Sequence, residues 1–205
     1  MLLNSQSLIL AFDSLKSDLV LRFLIEKFSS EINIKERFDS NYSKALSELI
    51  IEQQISFKAA IKIKQRFNLF ISSKNNKEIA NLDTSEIRSI GVSNKKADYI
   101  KNVYNHFLND EFDFDSSSED EIINHLIEIK GVGKWTIEMF MMFVLMRIDI
   151  FSFGDLALIK SISLNYGIES DQITEIKKLT DSWAPYKTVA SLLLWKSVEE
   201  KIFYE

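Results

Sequence analysis

From Leu19 onward, apolar residues return every third or fourth position with little to interrupt them. Leu19, Phe23 and Leu24 make one such stretch, and Ala45, Leu46, Leu49 and Ile50 the next. Only a repeat near 3.6 residues lines such side chains along one face, so these segments read as amphipathic helices. Strand-type alternation of any length is absent, and the five glycines and one proline fall where the periodicity breaks. The expected fold class is all-α.

Capping signals divide the chain further. Ser17 or Asp18 opens a helix to about Phe28, and a second runs over 41–53. Ser56 caps 57–70, Thr84 and Ser85 open a short helix that stops at Gly91, and another follows over 94–107. An acidic, serine-rich linker, EFDFDSSSEDE, ends in Ser118-x-x-Glu121, a capping box for a helix over 119–129. Helices over 134–147 and 155–165 come next. One more starts at Ser170 or Asp171 and runs to 181, and Pro185 suits the first turn of a last helix to about Glu199. No strong repeat is visible, although IRSIGVSNKKA weakly echoes a later hairpin.

The chain is 46% hydrophobic with 15 Phe, ample for a core. Without cysteine, disulfides, zinc–thiolate sites, iron–sulfur clusters and cysteine nucleophiles are excluded. His106 and His125 stand far apart in sequence, which argues against a histidine-based metal site or triad. The first residues lack a basic n-region and a small-residue cleavage site, so no signal peptide is expected. The apolar run Met139–Met146 is too short to span a bilayer, so no membrane partner is expected and the cytoplasm is the expected compartment. The net charge of −5 counts against gripping DNA by bulk electrostatics, but not against a few backbone amides and local lysines.

The most informative stretch is LIEIKGVGKWTIE, residues 126–138. A helix ends, glycines frame one apolar residue, and a second helix begins at once. Gly131 and Gly133 permit backbone angles and close approaches that a side chain forbids. The amides of Val132, Gly133, Lys134 and Trp135 fall at the N-terminus of the second helix, where N–H groups and the helix dipole suit a phosphate oxygen. Lys134 adds positive charge there. An ordinary tight turn is the plain alternative. The apolar-x-G-V-G-K pattern, Thr136 and the apolar second helix together favour a grip on one DNA backbone by Gly131, Val132, Gly133, Lys134 and Thr136.

With these residues the chain resembles the helix–hairpin–helix base-excision DNA glycosylases, in particular the 3-methyladenine DNA glycosylase II-like, alkylated-base branch. The matching blocks are SELIIEQQISFKAA (47–60), IGVSNKKADYIKNV (90–103), LIEIKGVGKWTIEMF (126–140), DIFSFGDLALIKSI (149–162) and WAPYKTVASLLLW (183–195). The resemblance implies a two-lobed helical fold with DNA across the cleft between lobes. Residues 1–40 would pack with a C-terminal lobe, 126–205, which carries the hairpin, and 41–125 would form the inner lobe. It implies a monomeric enzyme of base-excision repair that removes bases of the 3-methyladenine and 7-methylguanine type from damaged double-stranded DNA. Such an enzyme would lie in the nucleoid of a bacterium or the nucleus of a eukaryote.

Asp155, in FSFGD after the hairpin, matches the family's catalytic aspartate; read alone it is an N-cap for the helix that follows, and the two roles are compatible. Bifunctional relatives place a lysine where this chain has Trp135. An indole forms no Schiff base, so hydrolysis without abasic-site lyase activity is expected. For the base pocket the candidates are Trp135, Tyr186 and Met139, with Met139 standing where the family has an aromatic. Trp135 and Tyr186 read equally as pocket or core, and Trp183 as core. Gln54, and second Ile55, are candidates to fill the gap left by a flipped base. No cofactor is expected; the family's hairpins hold a structural monovalent cation through main-chain carbonyls, which here would be those of Ile127, Ile129 and Val132. The competing readings are a non-catalytic helix–hairpin–helix DNA-binding module, a glycosylase for oxidised or deaminated bases, and a helical protein-interaction scaffold.

Overall fold

A computed structural model describes residues 2–34 and 38–204. Its helices are α1 (Ser5–Leu15), α2 (Leu19–Phe28), α3 (Tyr42–Glu52), α4 (Phe57–Ile71), α5 (Asn76–Ala80), α6 (Thr84–Arg88), α7 (Asn94–His106), α8 (Glu119–Leu126), α9 (Lys134–Phe143), α10 (Leu156–Tyr166), α11 (Ile173–Asp181) and α12 (Lys187–Glu200), with a 3-10 turn at Ser29–Glu31. Among the described residues the only extended pairing is an isolated antiparallel bridge between Leu2 and Arg147. The fold class is all-α, and among the described residues no helix is long and apolar enough to cross a membrane.

Caps explain most boundaries. Asp18, Asn41, Ser56, Ser93 and Ser118 each accept a first-turn backbone N–H with the side chain, a contact worth about 1 kcal/mol each. The Ser118–Glu121 capping box forms as expected. Some elements and boundaries differ. α1 and α5 are additional; α1 is opened by an Asn4–Ser7 box, which lacks the acidic residue that usually betrays such a start, and α5 by an Asn75–Glu78 box. α8 stops at Leu126, because Ile129 N–H turns back to the Leu126 carbonyl. α9 stops at Phe143, where the Arg147 N–H closes on the Met141 carbonyl and Met146 takes a positive φ of 53°. Pro185 stands outside α12, before its N-cap Tyr186.

The chain forms two compact units, residues 1–38 with 141–205, and residues 39–140. Leu21, Leu24, Leu158, Ile162, Ile176, Trp183, Val189, Leu193 and Leu194 fill the core of the first. There Asp18 organises three elements at once. Its carboxylate caps α2 through Leu21 N–H and accepts the Tyr166 hydroxyl at 3.0 Å and the Trp183 indole N–H at 3.2 Å. Burial and the Asp18 charge push the Tyr166 phenol up, so it remains a donor. Trp183 is 2% exposed, as expected of a core residue. α10 and α12 are tied by a buried polar cluster: Ser161 and Ser197 hydroxyls 2.7 Å apart, with the Asn165 amide donating to both.

The second unit is built on Leu46, Ile50, Ile51, Phe67, Ile87, Ile100 and Ile122. An aromatic cluster of Tyr42, Phe107, Phe114 and Phe140 joins it at edge-to-face and tilted distances of 5.1–6.3 Å. The hairpin residues 126–140 belong to this unit, whereas the sequence placed them with the C-terminal segment. The reason is local bracing, described below, together with the seating of Phe140 against Tyr42 and Phe114. The sequence also argued against a histidine-based metal site or triad, because His106 and His125 stand far apart along the chain. Asp113 reverses the linker by accepting the N–H groups of Asp115 and Ser116, and Phe114 is buried beside it. His106 and His125, 19 residues apart, are thereby brought to 3.0 Å between their Nε2 atoms.

Candidate active site and hairpin

In the first unit, Asp155 is the N-cap of α10. Its Oδ1 accepts three hydrogen bonds: from the N–H groups of Ala157 and Leu158, each at 3.0 Å, and from the indole N–H of Trp195 at 3.1 Å. Trp195 lies on α12 and stacks on Phe143, ring centroids 5.7 Å apart. The carboxylate is half-buried. Helix N-terminal amides and an aromatic N–H fix the position and direction of the carboxylate. The buried Ser161–Asn165–Ser197 cluster sets the α10–α12 packing that makes the Trp195 contact possible. The capping role and a chemical role are therefore compatible in one side chain. Tyr186, partly buried, packs on the edge of the same unit's core at the start of α12.

In the second unit, the hairpin turn joins α8 to α9. Gly131 has φ of +106°, a conformation side chains avoid, and a Cβ there would lie 2.1 Å from the Tyr99 ring. Gly133 has open space around its Cα, with no atom within 4 Å of an added Cβ. Its carbonyl accepts the Ile137 N–H, so the amide of Lys134 lies in the first turn of α9, where intrahelical acceptors are lacking. The turn is braced from outside itself. The Gln53 side-chain amide donates to the Gly131 carbonyl at 3.2 Å and to the Thr136 hydroxyl at 2.9 Å, and the Asn102 amide donates to the Lys130 carbonyl at 3.1 Å.

Several residues chosen for the backbone grip hold the turn instead. The Val132 N–H bonds to the Ile129 carbonyl at 2.9 Å, so it closes the turn and is not offered outward; its side chain is 4% exposed. The Thr136 hydroxyl is buried on Gln53, which leaves only its main chain for an outside ligand. The Lys134 ammonium is well exposed and stands 3.9 Å from Glu138, a loose pair that a phosphate can displace. Met139 is 2% exposed and belongs to the interior, because its position on α9 faces inward beside Phe140. Trp135, one turn earlier, is half-exposed.

The helix-to-helix turn at 53–56 carries Gln54 exposed and at a positive φ of 55°, uncommon for a residue with a side chain. Ile55 is half-buried beside it. Beneath the turn, the Lys96 ammonium donates to the carbonyls of Ile51 and Gln53 and caps the C-terminal end of α3. Burial pushes the Lys96 pKa down. α4, which leaves this turn, carries Lys58, Lys62, Lys64 and Arg66 with no acidic residue; Lys58, Lys62 and Arg66 are exposed. The echo noted in IRSIGVSNKKA is structural: Gly91, between α6 and α7, has φ of +102°, and Val92 is buried as Val132 is.

Sequence reasoning missed Gln53, Lys96, Asn102 and Trp195 as residues that hold these features. Only the run of cations in 57–66 was readable in advance, as a local charge pattern.

Residues 48–185 match the model of the HhH-GPD superfamily of base excision DNA repair proteins. An alkylbase DNA glycosidase-like protein of Schizosaccharomyces pombe is 34% identical over 125 residues, 58% of this chain and 59% of that protein. A DNA-3-methyladenine glycosylase of the same organism is 29% identical over 163 residues, covering 74% and 70% of the two chains. Among solved structures, a S. pombe 3-methyladenine DNA glycosylase in complex with abasic DNA superposes with a TM-score of 0.80 at 25% identity, over 92% of this chain and 96% of that one. A Bacillus halodurans DNA-3-methyladenine glycosidase gives 0.72 at 29% identity, over 93% and 90%. The chain spans about 60% of the length of the first two curated relatives, at 59% and 60%.

Proposed function

The chain belongs to the HhH-GPD superfamily of base excision DNA repair proteins, and we propose that it is a monofunctional DNA glycosylase that hydrolyses the N-glycosidic bond of alkylated bases in double-stranded DNA. Relatives named for 3-methyladenine support the base class. The observation that carries the chemistry is the Asp155 carboxylate, pinned through Oδ1 by two helix amides and Trp195.

The target nucleotide leaves the stack before its bond can break. As the base departs with the bonding electron pair, positive charge grows on the deoxyribose ring. A fixed carboxylate stabilises that charge, and water completes the substitution at the sugar carbon while giving up a proton to Asp155 or solvent. An alkylated base is already cationic, so it needs little acid assistance and favours an electron-rich ring near it. Trp135 and Tyr186 are the rings in this reading.

The hairpin amides around Gly133 and Lys134 take a backbone phosphate, and the exposed cations of α4 answer the acidic net charge locally. Gln54 fills the gap in the stack. The main-chain carbonyls of Ile127, Ile129 and Val132 are hard donors of the kind a monovalent cation with a structural role takes; the Ile129 carbonyl is shared with the Val132 N–H. The protein acts as a monomer. The test is a release assay: N-methylpurine-containing duplex DNA incubated with the chain yields free 3-methyladenine, and no release from any damaged-base panel refutes the reading.

A further inference from the structure

His106 ends α7, His125 lies in the last turn of α8, and Asp110 lies on the linker between them. His125 Nε2 is 3.0 Å from His106 Nε2 and 3.0 Å from Asp110 Oδ2; His106 Nε2 is 3.6 Å from the same oxygen. Three ligand-type atoms from three places in the chain therefore meet at one point. A point about 2.1 Å from all three exists about 1 Å off their plane, near where a tetrahedral ion sits over one face of its ligand set.

Hydrogen bonds alone compensate this meeting poorly. His125 Nε2 offers one hydrogen or one lone pair, yet has two partners at 3.0 Å. A cation bonds all three lone pairs at once. The groups are also held from behind. Asp110 Oδ1 accepts the Phe112 N–H at 3.1 Å, which aims Oδ2 at the histidines. Phe112 stacks on His125 with centroids 4.0 Å apart and planes 7° from parallel, and Phe107 sits edge-on to His106. Asp110 is 8% exposed, and the two imidazoles about a fifth, which leaves room for one further ligand from solvent.

We infer that His106, Asp110 and His125 form a binding site for a divalent transition-metal ion of the zinc class, with water in the fourth position. Two imidazoles and a carboxylate suit zinc, cobalt or nickel and not magnesium, which demands an oxygen shell. The ion ties the end of α7 and the linker to the last turn of α8, one residue before the hairpin turn. Its role is to fasten the support of that turn, separate from the chemistry at Asp155.

The test titrates tag-free protein with zinc chloride by calorimetry, with magnesium chloride as control, alongside Asp110→Asn and His125→Gln. The expected result is one equivalent of zinc in the parent, no magnesium binding, and at least tenfold weaker zinc binding in both variants. Cobalt(II) added to the parent gives a further readout that needs no variant, the intense visible bands of a low-coordinate site. Absence of one-equivalent zinc binding in the parent, cobalt bands that match the hydrated ion, or zinc affinity unchanged in folded variants overturns the assignment.

Discussion

The indole N–H of Trp195 donates to Asp155 Oδ1 at 3.1 Å, joining the first turn of α10 to the middle of α12. This contact adds an aromatic donor to the two amides that already fix the oxygen. Trp195→Phe keeps a ring on Phe143 and removes only the donor. Single-turnover base release is expected to slow roughly tenfold, the equivalent of ~1.4 kcal/mol, with abasic-DNA affinity unchanged. An unchanged rate would show that the indole merely packs.

The two hairpin glycines separate folding from binding. Gly131→Ala forces a Cβ into the Tyr99 ring at a positive φ, so a loss of ~2 kcal/mol or more is expected in denaturant unfolding. Gly133→Ala meets open space in the folded chain. Its stability is expected to stay within about 0.5 kcal/mol of the parent, while affinity for abasic-site duplex falls because the added methyl crowds the phosphate. Equal affinity of Gly133→Ala and parent would place the phosphate elsewhere.

Gln54 holds a left-handed backbone on an exposed turn. Gln54→Gly relieves that conformation, and stability is expected to rise by about 1 kcal/mol. Base release from duplex falls in the same variant, whereas release from a single strand, which needs no gap filled, does not. A variant that is more stable and equally active on duplex would remove Gln54 from this role.

Trp135 leaves no amine at the lyase position of the hairpin. Incubation with abasic-site DNA under borohydride is expected to trap no covalent adduct, and the strand stays intact on a denaturing gel. A trapped adduct would point to a lysine acting from another position.

Local patterns carried most of what was readable in the sequence. Helix periods, the Ser118–Glu121 box, the Gly131 turn and the Asp155 cap each lie within a few consecutive residues, so their physics is written locally. What was not readable depends on distant partners. Gln53 reaches Thr136 across 83 positions, Lys96 reaches Ile51 across 45, and Trp195 reaches Asp155 across 40. Nothing in the neighbours of these residues distinguishes them from ordinary surface or core positions. The same holds for Val132 and Thr136: only the folded turn shows that the Val132 amide is used by Ile129 and the Thr136 hydroxyl by Gln53.

Asp155 does chemistry as well as capping in this reading. The direct measurement compares parent and Asp155→Asn in release of 3-methyladenine from methylated duplex, with abasic-DNA binding measured on the same preparations. Asparagine keeps an oxygen for the helix amides, so the variant is expected to fold and to bind abasic-site DNA within a few-fold of the parent, while base release falls by roughly a hundredfold or more. Release at the parent's rate by a folded Asp155→Asn would remove Asp155 from the chemistry and leave it a cap alone.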